Sequence, residues 1–164
     1  MTPDIKRILY ATDLSDNSAY AFGYALNLAK KYDAEITILH VIYMMMGVSG
    51  NVVGFYFNEK ELEENMQKRL THVTEEINKR LKVFVDEKVA DHPESADKVV
   101  SIEVCQGYPA DEILKKADEL HCDLIVMGTH GKGIVGQAFF GSVAKRVLRR
   151  VRKPVFIIPL PEER

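Results

Sequence analysis

A chain of 164 residues that is 46% hydrophobic and 28% charged suits one globular domain with its own core, spanning 1–164. A formal net charge of only −2 excludes the strongly basic balance of a dedicated nucleic-acid binder, so no nucleic-acid partner is expected. Residues 1–12 are too short and too charged for a secretory leader, and no apolar run approaches the roughly 20 residues that span a bilayer, so a cytoplasmic protein without a membrane partner is expected.

In chain order, IKRILYAT (5–12) is short, apolar and rich in strand formers, which predicts the first strand. SDNSAYAFGYALNLAKKYD follows. Ala19, Phe22, Ala25, Leu26 and Ala29 recur at helical spacing, and Ser15 can cap that helix. AEITILHVI (34–42) predicts a second strand, with His40 packed in the core. YMMMGVSGNVVGFYFN has no clear period; Met44, Met45 and Met46 there suit either a contact surface or packing under the next helix. From Asn58 to Val89 one face carries Leu62, Met66, Leu70, Val73, Ile77, Leu81 and Val85, and Asn58 with Glu61 reads as a capping box. ADHPESADK reads as a loop. VVSIEVCQG (99–107) is a third strand, and PADEILKKADEL is a helix with proline at its start and acids in its first turn. CDLIVMG (122–128) is a fourth strand, SVAKRVLRRV a last helix, and KPVFIIP a fifth strand stopped by Pro159. Strands alternating with helices, and apolar throughout, imply a parallel sheet covered on both faces. Cys105 and Cys122 share no metal-ligand spacing, and Cys122 beside an apolar run reads as a buried free thiol.

The stretch at 127–147, MGTHGKGIVGQAFFGSVAKRV, holds half of the chain's 10 glycines. GxGxxG at Gly131–Gly136 lacks the second strand and the ribose-binding acid of a dinucleotide site. GxxxxG[ST] at Gly136–Ser142 lacks the lysine of a phosphate-binding P-loop. A third pattern fits without omission: Gly128 and Gly131 with two residues between them, nine further residues, then Gly141-Ser142. Two glycines let the backbone turn tightly at a strand's carboxyl end. A helix opening at Gly141-Ser142 presents bare N–H groups to an anion.

In that spacing, in ILYATDLSDNSAYAFGYALNLAKK, in ITILHV and in KPVFIIP, the chain resembles the nucleotide-binding universal stress proteins, over its whole length except 43–98. The resemblance implies a three-layer αβα sandwich of the adenine nucleotide alpha-hydrolase-like kind, its five parallel strands in the order 3-2-1-4-5. It implies ATP as ligand, though AMP or a cyclic nucleotide is not separated from it. Asp13, in Ala11-Thr12-Asp13, would face the ribose or a Mg²⁺ or Mn²⁺ ion on the phosphates, or else serve only the helix start at Ser15. The family often has proline at the position of Ala11. Val41 would meet adenine through its backbone and Met127 the base or sugar. Gly128, Gly131, Gly141, Ser142 and Val143 would hold the phosphates. His130 and Lys132 lie in the loop, either against phosphate or in solvent.

The resemblance implies hydrolysis that is slow or partner-dependent at most; the motif itself offers no clear general base except Asp13 and no arginine aimed at the γ-phosphate. The resemblance also implies a homodimer through the last strand, whose VFIIP edge is apolar. The alternative is a non-nucleotide stress protein, a dimeric module for an unidentified protein partner. Lys145, Arg146, Arg149, Arg150, Arg152 and Lys153 form a basic run best explained by a helix carboxyl end. A response regulator, a flavodoxin and an ATP pyrophosphatase each need loop residues that this chain lacks.

Overall fold

The computed structural model describes residues 2–43, 59–130 and 140–159. Its elements are β1 (Arg7–Ala11), α1 (Asp16–Tyr32), β2 (Glu35–Tyr43), α2 (Glu59–Ala90), a 3₁₀ turn (Pro93–Lys98), β3 (Val99–Gly107), α3 (Pro109–Glu119), β4 (Leu124–Gly128), α4 (Ser142–Arg150) and β5 (Val155–Ile158). All four strand pairings are parallel, in the order β3-β2-β1-β4-β5.

Alternation along the strands builds two cores, one on each sheet face. Ile8, Tyr10, Ile36, Ile38, Leu124 and Val126 face α1 and, through Leu81, α2. Leu9, Leu39, Ile125 and Met127 face Ala110, Ile113 and Ala117 of α3 and Ala144 and Val147 of α4. Because both faces are covered, the strands are apolar in nearly every position, as their sequences show.

Local chemistry sets the boundaries. The first strand begins later than expected because the N–H groups of Lys6 and Arg7 both donate to the Asp123 carboxylate, each at 2.9 Å. Ser15 caps α1 by accepting the Ser18 N–H at 3.2 Å. Asp33, left-handed at φ 51°, ends it. The stretch expected as a loop contains the 3₁₀ turn. Pro93 fixes its first dihedral, the Ser95 N–H reaches the His92 carbonyl at 2.8 Å, and Ser95 is buried. On edge strand β3 the register jumps from Ile36–Val99 to Thr37–Ser101, so Val100 bulges outward.

The 32-residue helix α2 is lopsided. Leu81 is fully buried, and Ile77, Phe84 and Val85 pack partly against the first core. Met66 and Val73, nearer its start, are 56% and 41% exposed. Asn58 of the expected capping box lies outside the described residues, as do Met44, Met45 and Met46.

Candidate functional site

The strand order turns back between β1 and β4, so the connections leaving their carboxyl ends run to opposite faces and open a crevice there. One wall is the β1–α1 loop. The Thr12 N–H donates to the Leu39 carbonyl at 2.9 Å. Its Oγ1 accepts the Leu14 N–H at 3.1 Å and lies 2.7 Å from Ser18 Oγ. Ser18 Oγ donates to the Ser15 carbonyl at 2.9 Å, so Thr12 is the donor in the pair of hydroxyls. Leu14 adopts φ 65°, an unusual conformation for a branched apolar residue, and these bonds hold it there. Beneath them Tyr10 donates to the Ser18 carbonyl at 2.5 Å. Burial pushes its phenol far above the ordinary range, so it remains a neutral donor.

Asp13 is half-buried, and its Oδ1 accepts from Ser15 N–H at 3.0 Å and Ser15 Oγ at 2.5 Å. These bonds tie the carboxylate to the start of α1. Ala11 is buried in the second core, and Val41 packs half-buried against it. His40, expected as core packing, is half-buried with its Nδ1 2.9 Å from the Thr12 carbonyl. A carbonyl only accepts, so Nδ1 carries the proton and ties β2 to the loop. The one sequence signal for this was a histidine beside Val41.

The opposite wall is the end of β4 and the start of α4. The Met127 side chain is 5% exposed and belongs to the second core, so its backbone is the part that borders the crevice. A Cβ at Gly128 would lie 3.5 Å from the His130 carbonyl, 3.8 Å from that of Asn17 and 4.0 Å from that of Ile158. These are ordinary contacts, so packing among the described residues does not require glycine there. The Thr129 N–H donates to the Ile158 carbonyl at 2.9 Å, and its own carbonyl accepts the Gly141 N–H at 2.7 Å. The carboxyl end of β4 is thereby fastened to the amino end of α4.

Thr129 Oγ1 lies 2.7 Å from His130 Nδ1. His130 Nε2 is buried and has no hydrogen-bond partner among the described residues. Such an atom is costly to leave unmade. Gly141 is the N-cap of α4 and supplies no side-chain acceptor, and the first turn carries no acid. Among the described residues no side chain meets the first N–H groups of the helix, which carry a partial positive charge. Ser142 is exposed and Val143 half-buried at that turn, whereas Gly131 and Lys132 lie outside the described residues. No group of three His, Cys, Asp or Glu among the described residues could hold a metal by itself.

The family model described as the Universal stress protein family matches residues 4–159. This chain belongs to that family. Universal stress protein MJ0531 of Methanocaldococcus jannaschii is 34% identical over 158 residues, covering 96% of this chain and 84% of the relative. The solved structure of MJ0577, from the same organism, superposes with a TM-score of 0.60 at 27% identity, covering 97% of this chain and 99% of its own. Two more distant structures share the fold. One is a universal stress protein in complex with cAMP (TM-score 0.54, 23% identity, 96% and 98% covered). The other, from Archaeoglobus fulgidus, is in complex with dAMP (TM-score 0.53, 19% identity, 96% and 98% covered). This universal stress protein therefore has the adenine nucleotide alpha-hydrolase-like fold that the family resemblance implies. No helix among its described residues is long and apolar enough to cross a membrane.

Proposed function

We propose that this protein binds an adenine nucleotide, ATP foremost, in the crevice between β1 and β4, and acts as a nucleotide-dependent regulatory or stress-response protein of the cytoplasm. The observation that carries the reading is the convergence of unmet polar groups at one place. Among the described residues, α4 begins with no side-chain cap, His130 Nε2 is buried without a partner, and a Cβ at Gly128 would make only ordinary contacts. An anion seated there would take up the orphan helix N–H groups. The cAMP and dAMP complexes of more distant members support an adenine nucleotide as the class.

In this reading the backbone of Gly128, Gly131, Gly141, Ser142 and Val143 holds the phosphates, with His130 beside them. Val41 meets the base through its backbone. Ala11 and Thr12 shape the floor, and the Met127 backbone lies by the sugar. Asp13 faces the ribose. A Mg²⁺ or Mn²⁺ ion arrives with the phosphates, since the described residues offer no complete site, and Asp13 supplies one ligand to it at most. The Asp13 carboxylate is engaged by Ser15, which leaves hydrolysis slow at most. Homodimerisation proceeds through the free edge of β5, where Phe156 is exposed.

The test is calorimetric titration of nucleotide-free protein with ATP, with and without Mg²⁺, for wild type, Gly128→Ala, Gly131→Val and Asp13→Ala. We expect Gly128→Ala to lower ATP affinity by about tenfold or more, roughly 1.4 kcal/mol, while its melting temperature stays near that of wild type. Metal dependence should vanish in Asp13→Ala. No binding of ATP, ADP or AMP by the wild-type protein would sink the reading.

A further inference from the structure

The first half of α2 is built to be covered. Residues Ile77, Leu81, Phe84 and Val85 tie its second half to the body, but among the described residues none between 63 and 76 belongs to either core. A few free turns of helix are only marginally stable in water. Yet this segment carries an apolar stripe, Met66, Leu70 and Val73, which the half-buried Ile77 continues at the border of the core, spaced 4-3-4 as in a coiled-coil seam. Met66 and Val73 are largely exposed, and Leu70 and Ile77 half-buried.

The stripe and its flanking charges have a symmetry that identifies what covers them. Reflected about the midpoint between Thr71 and His72, Leu70 falls on Val73 and Met66 on Ile77. The next layer outward pairs Glu63 with Arg80, opposite charges closing each end of the apolar seam. Arg69 and Glu76 each stand one residue before a seam residue, Leu70 and Ile77. When two such helices run antiparallel, those flanking positions face each other, so Arg69 meets Glu76 of the partner subunit. In a parallel pair they would face Thr74 and Leu81 instead, with no charge to meet. Among the described residues none of Glu63, Arg69, Glu76 and Arg80 forms an ion pair within its own chain.

We propose that residues 63–80 of α2 form a second homotypic interface, an antiparallel two-helix seam with another copy of this chain about a two-fold axis between Thr71 and His72. A two-fold contact is self-complementary, residue i on j and j on i, which is the relation these positions obey. The interface is distinct from pairing along β5 and does not depend on nucleotide. With both in use, one chain contacts two neighbours.

Sedimentation velocity on the full chain tests this. Ile157→Pro isolates the α2 interface: the Ile158 carbonyl points at β4, so by alternation the Ile157 N–H points away, along the free edge that β5 pairing would use. The Ile157→Pro protein is expected to remain a dimer. Val73→Glu should weaken α2-mediated association at least about a hundredfold, since it buries a charge in the seam. Arg69→Glu alone and Glu76→Arg alone should each weaken it about tenfold, and the double variant should recover to within about threefold of wild type. That recovery is readable without the β5 variant, because an interface through β5 is blind to charges at 69 and 76. All these positions on α2 are solvent-facing or half-buried, and circular dichroism on each variant checks that it is folded. Association unchanged by Val73→Glu and Arg69→Glu overturns the proposal. A monomeric Ile157→Pro protein that is folded also overturns it. A monomeric wild type that Val73→Glu nonetheless destabilises puts the cover within one chain and overturns it as well.

Discussion

Ser15 does several jobs at one point. Its N–H and hydroxyl both donate to Asp13 Oδ1, its Oγ accepts the Ser18 N–H, and its carbonyl takes the Ala19 N–H at 3.0 Å and the Ser18 hydroxyl. Ser15→Ala removes the cap of α1 and one anchor of Asp13 together. We expect a loss of about 1–2 kcal/mol in urea unfolding, with nucleotide affinity falling as Asp13 loosens. The cap was legible in sequence because it depends only on local spacing. The bond from His40 to the Thr12 carbonyl was not, because it joins residues 28 positions apart on neighbouring strands. Met127 shows the same limit from the other side. The family resemblance puts it by the base or sugar without saying which part of it, and strand alternation turns its side chain into the second core.

Among elements, α2 is the one most exposed to a single loss. Leu81 is the fully buried residue among those described in it, and the ring of Phe84 meets that of Phe22 with centroids 5.2 Å apart. Leu81→Ala should cost about 2–5 kcal/mol, read as a lower denaturant midpoint. Hydrogen exchange should rise first along α2, because β1, β2 and β4 keep their own contacts. All five strands and the four helices were visible as apolar periodicity, since burial on both faces leaves a strong mark on composition. The 3₁₀ turn at Pro93–Lys98 was hidden, because proline, serine and acids also make loops and the burial of Ser95 is a tertiary fact. The bulge at Val100 is a matter of register, which no single strand's sequence records.

At the scale of the whole molecule, two ion pairs fasten the 3₁₀ turn to the end of α1. Lys98 donates to Asp33 at 2.6 Å and Lys30 to Glu94 at 3.2 Å. The Lys98 hydrogen bond and charge hold the Asp33 carboxyl below its usual range. A backbone hydrogen bond and then Lys30 do the same for Glu94. A carboxyl whose folded pKa is depressed adds stability above its unfolded pKa and loses it as pH falls through the folded one. Stability should therefore decline on acidification below the ordinary carboxylate range. Lys30→Met with Lys98→Met should flatten that decline, and added salt should mimic them in part, since both acids are exposed. Urea midpoints followed from about pH 6 to pH 3 check the slope.

The Asp123 carboxylate that receives the Lys6 and Arg7 N–H groups joins positions 117 and 116 apart. As the chain leaves the ribosome, β1, β2 and β3 can align in order of synthesis, yet β1 becomes the middle strand of the finished sheet. One side of it has no neighbour until β4 has emerged. For most of translation the nascent protein therefore carries an open, apolar strand edge where its future crevice will be, and the crevice cannot exist before that edge is closed. A chaperone that reads extended apolar backbone would meet this chain early, and a nucleotide would meet it only at the end.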